Sequence, residues 1–383
     1  MPGTKFKEIM LTVRFLTPAF LGDAEQNGRW RTPPFKALLR QWWRVVYAAR
    51  HNFQVNLSDL RRTEGKLFGN AWLTKRNANG QEESDFSKSQ VRMRLERWDP
   101  GQLENWQGLE QKTVFHPEVQ RTNYQVGPHA YLGYGPLDGR GGTKLLRKNV
   151  VNAGEKAELL LAFPENEAVL IEQALYLMHL FGAAGGRSRN GWGSFVLEGY
   201  DWPDNLPSLP LRDWKNALNL DWPHAIGKED DGPPLIWQTA GSYADWKSLM
   251  RDLAIIKIGL RTQFVFQPVA VPARLWLAYP VTNHTRTWGK TLRLPNSLRF
   301  KVRPAPDDPS KLVGVIFHVP CSPPAGFGPN LTAISDVWKD VHSLLNEMIN
   351  EPNKRNYISI KNAARKAALK PHLDKIMLKR IPR

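Results

Sequence analysis

Residues 32–50, TPPFKALLRQWWRVVYAAR, are able to bury only one side of a helix. Thr32 suits an N-cap, and Pro33 and Pro34 fall in the first turn, where a missing N–H costs little. At about 100° per residue, Phe35, Leu38, Trp42, Val45, Val46 and Ala49 share one face. Lys36, Arg40 and Arg44 share the other, with Trp43 bordering that stripe and Trp42 on the apolar side. Residues 29–50 hold six basic residues and no acidic one, so pairing along the helix does not explain the stripe. A helix of this kind needs a sheet to cover it, and residues 8–16, EIMLTVRFL, supply a strand just upstream that ends at Thr17-Pro18.

The pattern continues along the chain. Residues 58–68 form a short helix stopped by Gly69, and 74–90 form a polar, mobile insertion. Residues 91–98 alternate as a strand, 123–143 make an irregular Gly/Tyr/Pro-rich loop, and 157–164 make a strand. An apolar helix over 167–182 then runs into the loop GAAGGRSRNGWG, 182–193, and the strand SFVLEGY. The order of strands and helices over 8–200 is that of a ferredoxin-like unit carrying insertions. Residues 201–247, with repeated Trp, Pro and Asp, read as a linker or insertion region. A second unit spans 248–383, with strands at 253–260 (LAIIKIGL) and 312–320, a helix near 332–350 and a basic tail over 352–383. The fold class is α+β.

Lys and Arg number 53 against 36 Asp and Glu, a net charge of +17, which calls for an anionic partner: nucleic acid, acidic protein or anionic membrane. The excess is uneven: residues 253–306 carry nine basic residues and no acid, and 352–383 carry ten against Asp374 alone. Fifteen Trp, 16 Phe and 9 Tyr argue against a disordered cationic chain. Cys321 is the only cysteine, which excludes an intramolecular disulfide framework and a Cys-rich zinc site; it reads as a small buried or turn residue. No apolar run reaches membrane length and no secretory signal is evident, so the expectation is a soluble, cytoplasmic protein.

The loop 182–193 needs its five glycines either for a tight connection or for close approach of backbone N–H groups to a phosphate. It lacks the Gly-Lys-Ser/Thr of a P-loop, and its place after a helix and before a strand rules out a dinucleotide fingerprint. Arg187 and Arg189 alternate, and with Ser188, Asn190 and Trp192 they have the chemistry to grip a sugar–phosphate backbone. Catalytic signals are thin. Nine histidines stand at no metal-binding spacing, and His179 on an apolar helix reads as structural. Asp23 and His51 are the candidates for a metal-independent endoribonuclease, with a turn role the plainer reading of Asp23. Neither a cofactor nor a metal is expected.

RTPPFKALLRQWWR followed by TEGKLFGNAW resembles the N-terminal signature of the first Cmr subunit, a RAMP-superfamily family of type III-B CRISPR effector complexes. YLGYGPL (131–137), FGAAGGRSRNGWGSF (181–195), AYPVTNHTRTWGKTLRLPNSLRFKV (278–302) and LVGVIFHVP (312–320) are similar to its later motifs, in the same order. The resemblance implies two ferredoxin-like (RRM-like) domains. It implies a non-catalytic subunit that holds the 3′ part of CRISPR RNA, helps capture target single-stranded RNA and sits among other Cmr subunits in antiviral defence. The RNA-binding candidates are then Arg29, Arg31, Lys36, Arg40, Trp43 and Arg44 around the first helix. To these are added Arg187, Ser188, Arg189, Asn190 and Trp192 in the glycine-rich loop, and Arg286, Lys290 and Arg293 in the acid-free segment. A RAMP endoribonuclease and a structural adaptor for acidic protein stay open as rival readings.

Overall fold

The computed structural model describes residues 5–71, 73–106, 112–140, 142–203, 206–281, 284 and 287–381. The first unit contains β1 (Phe6–Phe15), α1 (Pro33–Arg50), α2 (Leu57–Phe68), β2 (Arg92–Leu95), β3 (Lys156–Pro164), α3 (Ala168–Phe181) and β4 (Phe195–Glu198). Its sheet runs β4–β1–β3–β2 with every neighbour antiparallel. That is the ferredoxin-like order expected from the sequence, a split βαβ repeated once. Apolar residues on alternate positions of β1, Leu11, Val13 and Phe15, are buried beneath α1 and α3. There Phe15, Phe35 and Phe195 form an aromatic cluster with centroids 5.6–6.2 Å apart.

The second unit repeats the plan with β5 (Ile236–Thr239), α4 (Trp246–Thr262), β6 (Leu298–Pro304), β7 (Leu312–His318), α5 (Leu331–Glu347), α6 (Ala363–Leu373) and β8 (Leu378–Arg380). Its sheet order is β6–β7–β5–β8, again antiparallel throughout. Two sequence expectations change here, and one unassigned segment finds its place. LAIIKIGL lies inside helix α4, not in a strand. Leu249, Leu253, Ile256 and Leu260 are buried at helical spacing, and Asp245 caps the N-terminus by accepting from the Ser248 N–H at 2.9 Å. The eight-residue window was too short to separate a buried strand from a buried helix. Residues 201–247 are not simply a linker, because they contain β5, which lies between β7 and β8. The basic tail, whose sequence left its role open, packs into the second unit. It supplies α6 and the edge strand β8, and buried Arg355 in it donates to the carbonyls of Asn350, Leu373 and Ile376 at 2.7–3.0 Å. Residues 74–90 hold a small exposed hairpin, Thr74–Arg76 against Glu82–Ser84.

The glycine-rich loop joins the two units. Phe300 N–H donates to Arg189 O at 3.1 Å, and Val302 N–H donates to Ser194 Oγ at 2.9 Å. Trp42 of α1 reaches across to Phe181 (5.8 Å) and Phe317 of β7 (6.4 Å), the core role its face suggests. Lys301 on β6 is fully buried. Its ammonium donates to the carbonyls of His179 (2.8 Å), Gly182 (2.5 Å) and Phe195 (2.7 Å). Two of these lie at the C-terminal end of α3, where helix carbonyls lack intrahelical partners. Lys301→Met should therefore cost about 2–4 kcal/mol, because three buried acceptors lose their donor. Urea unfolding measures this; an unchanged midpoint would contradict it, and Lys290→Met at an exposed turn is the control.

Candidate nucleic-acid interface

An open cleft of about 1690 Å³ lies between the two units. The glycine-rich loop, α4 and β6 line it, the 112–140 segment covers it, and residues 278–281 and 293–296 form its rim. Five of the cations that line it come from its central elements: Arg187 and Arg189 from the loop, Lys257 and Arg261 one turn apart on α4, and Arg299 on β6. None of the five makes an ion pair with a carboxylate among the described residues. Arg274, also in the lining, and Arg365 are neutralised instead. Arg274 pairs with Glu118 at 2.5 Å, and Arg365 reaches the same carboxylate at 3.4 Å.

Local structure explains how unpaired charges are held there. Lys257 is buried and donates to Asn190 Oδ1. Burial, and then the charges of Arg261 and Arg187, hold its ammonium well below the usual lysine value. Arg299 is buried over the Trp42 ring at 6.0 Å, and Gln41 of α1 turns its amide oxygen toward it, 3.1 Å from Nη2. Burial and then neighbouring Arg189 lower the Arg299 pKa. Arg187 sits at φ +58°, a left-handed conformation that costs a residue with a Cβ. Its guanidinium lies over Gly135, where a Cβ would stand 3.2 Å from Nη2. Tyr134, beside that glycine, is 55% exposed and offers a ring face at the cleft.

The loop's glycines serve packing. At Gly193 a Cβ would stand 1.9 Å from Ala184 O, and at Gly185 one would stand 2.7 Å from Phe20 O, both at positive φ. The N–H groups of Gly186, Asn190 and Gly191 are spent on Phe20 O, Arg187 O and Ser188 O. These three N–H groups are therefore not free to form a phosphate nest.

Of the residues expected at the site, Arg187, Ser188, Arg189, Asn190 and Arg293 line the cleft. Asn190 has both amide atoms engaged, with Lys257 and with Leu132 O at 2.7 Å, so it positions Lys257 and the loop. Trp192 is fully buried against Phe20 and Trp106 and offers no face to a base. Trp43 is likewise buried, edge-on to Phe68 of α2 at 5.7 Å. The stripe on α1 also has a structural cause: Arg40 and Arg44 both bind Glu64 of α2, at 2.8 and 2.7 Å, and Lys36 Nζ donates to Ser89 Oγ at 2.8 Å. The acid that pairs the stripe stands on a different helix, which a search along one helix misses. Arg31 donates to Gly22 O, while Arg29 and Lys290 are exposed outside the cleft lining. Arg286 lies outside the described residues. Lys257, Arg261, Arg299 and Tyr134 were missed. The signal for the three cations was the acid-free run 253–306 and the Lys257/Arg261 spacing of four, which means one face only once the segment is read as a helix.

The nuclease candidates lie elsewhere. Asp23 Oδ1 accepts from the Asn27 N–H at 2.9 Å, a turn contact, and His51 stacks on Tyr47 at 4.1 Å; neither lines the cleft. His179 accepts from the Leu197 N–H at 3.1 Å and is pushed down to about 4 mainly by burial, the structural role expected of it. Among the described residues no group of three or more His, Cys, Asp or Glu is placed to hold a metal, and no helix is long and apolar enough to cross a membrane.

Duplicated ferredoxin-like units joined by a glycine-rich loop define a class of protein. Residues 12–196, which make up most of the first unit, match the model of the RAMP superfamily. Among solved structures, the apo crystal structure of Cmr1 from Pyrococcus furiosus is similar at 16% identity, covering 82% of this chain and 87% of that one, with a TM-score of 0.39. No curated protein matches in sequence.

Two outcomes follow from these contacts. Arg40→Ala should cost roughly 0.5–1.5 kcal/mol of stability while leaving single-stranded RNA affinity within about twofold; a large affinity loss in the folded variant would return the α1 stripe to the interface. Anion binding in the cleft favours protonated Lys257, whose free-state pKa is depressed, so raising the pH makes binding carry the cost of proton uptake. RNA affinity should fall as the pH rises toward the usual lysine range, and Lys257→Met should flatten that dependence. A flat profile in the unmodified protein would contradict this electrostatic account.

Proposed function

We propose that this protein is a non-catalytic RNA-binding subunit of a type III CRISPR RNA-guided effector complex. In that role it holds the 3′ part of the CRISPR RNA, helps capture target single-stranded RNA and works beside other Cmr-type subunits in the cytoplasm. The observation that carries the reading is the set of unpaired cations facing one open cleft: Arg187, Arg189, Lys257, Arg261 and Arg299. A folded chain keeps so many buried or half-buried positive charges without carboxylates where an anion completes the site. A polyanion threading the cleft supplies several charges at once, and Tyr134 provides a stacking face of the kind that sequence-tolerant single-strand binders use. The match of the first unit to the RAMP superfamily model and the run of Cmr-like motifs, including FGAAGGRSRNGWGSF and YLGYGPL, support the assignment to an RNA-guided complex.

The endoribonuclease reading loses its candidates, since Asp23 and His51 stand away from the cleft. The test is the salt dependence of single-stranded RNA binding. The double variant Arg187→Gln, Arg189→Gln should weaken binding roughly tenfold or more and reduce the log–log salt slope by about 1.4, some 0.7 for each lost phosphate contact. Binding and slope that stay unchanged in the folded double variant would overturn the assignment of this cleft.

A further inference from the structure

The inner end of the cleft has chemistry that a groove tracking a strand does not need. Lys257 is buried, Arg261 follows it one turn along α4, and Arg187 approaches from the glycine-rich loop. Among the described residues, the one acceptor bound to the Lys257 ammonium is neutral, Asn190 Oδ1, and Arg261 Nε is buried without a hydrogen-bond partner. Arg187 is held in a left-handed backbone conformation, and the absent side chain of Gly135 makes room for its guanidinium. Strain of this kind persists where the surroundings fix a side chain for a purpose. Buried Leu260, Leu298 and Phe300 pack beside Lys257 and Arg261 and give this end of the cleft an apolar side.

Three convergent positive charges beside an apolar wall match a group with more than one negative charge. An internal phosphodiester carries one. A phosphate monoester carries about −1.5 to −2 at neutral pH and presents three acceptor oxygens. Guanidinium groups suit such an oxygen set because their donors form a planar fork, and an ammonium adds a third direction of approach. We propose that the inner end of the cleft is a pocket for the terminal phosphate monoester of a single-stranded RNA, held by Arg187, Lys257 and Arg261, so that the strand enters end-first. The proposal rests on the RNA-binding reading above and adds which part of the strand the cleft recognises. A 5′-phosphate and a 3′-phosphate present the same chemistry, and the experiment separates them.

The test uses the full chain and three internally labelled RNAs of one sequence: with hydroxyls at both ends, with a 5′-phosphate, and with a 3′-phosphate. Affinities are measured by fluorescence anisotropy at one salt concentration. One of the two phosphorylated strands should bind roughly tenfold tighter than the dihydroxyl strand, more than one added charge gives at a screened surface. Arg261→Gln, checked for folding by thermal unfolding, should narrow that difference to within about twofold, whatever it does to the affinity of the dihydroxyl strand. Equal, salt-dependent binding of all three RNAs would overturn the pocket while leaving the RNA-binding reading intact. Failure of all three to bind would overturn both. A preference that survives Arg261→Gln and also Arg187→Gln would show that the phosphate is held elsewhere. The comparison of the three RNAs on the unmodified protein needs no variant to fold.

Discussion

The ammonium of Lys301 holds the two halves of this molecule in register. It sits on β6 of the second unit, is fully buried, and donates to three carbonyls of the first unit around the end of α3 and the start of β4. Burying a lysine this way is costly, and the burial drives its pKa far down. The return is geometric. Those carbonyls flank the glycine-rich loop, so fixing them fixes where Arg187 and Arg189 emerge. Phe300 and Val302, either side of Lys301 on the same strand, then bind Arg189 O and Ser194 Oγ. The cleft is a consequence of how the two units lock together.

Charge is handled differently on the two sides of α1. On the outer side, Arg40 and Arg44 share buried Glu64, and the arrangement stabilises the packing of α2. On the side facing the second unit, Leu38 and Gln41 line the cleft, and Gln41 supports Arg299 with a neutral amide, which leaves the full charge directed outward. Asn190 does the same for Lys257. Neutral hydrogen-bond acceptors that orient cations without neutralising them are what an anion site requires, whereas carboxylates would compete with the ligand.

Much of the fold was legible because periodicity and turn chemistry agreed. The alternating strand 8–16, the one-sided helix 32–50 and the apolar helix ending at Gly182 give the βαββαβ order of the first unit. The second unit was harder to read. Its β5 is four residues long in a Trp/Pro-rich stretch, and its last strand, three residues long, is hidden in a basic tail. The site was half legible. Arg187 and Arg189 stand out from glycine-rich surroundings. The α1 stripe misled because its partner, Glu64, is distant in sequence and adjacent in space. Trp43 and Trp192 misled because an aromatic beside basic residues looks the same in sequence whether it faces solvent or the core. Lys257 and Arg261 became visible as a pair only once their segment was known to be helical.

The central claim is that single-stranded RNA occupies the cleft between the two units. Ultraviolet crosslinking of the protein to a single-stranded RNA, read out by mass spectrometry, tests it most directly. Crosslinked peptides should come from around Tyr134, from 183–190, from 257–261 and from 293–300, all of them segments that line the cleft. Crosslinks confined to Lys36–Arg44 on the outer side of α1, or to the tail around α6, with none in those four segments, would contradict the account.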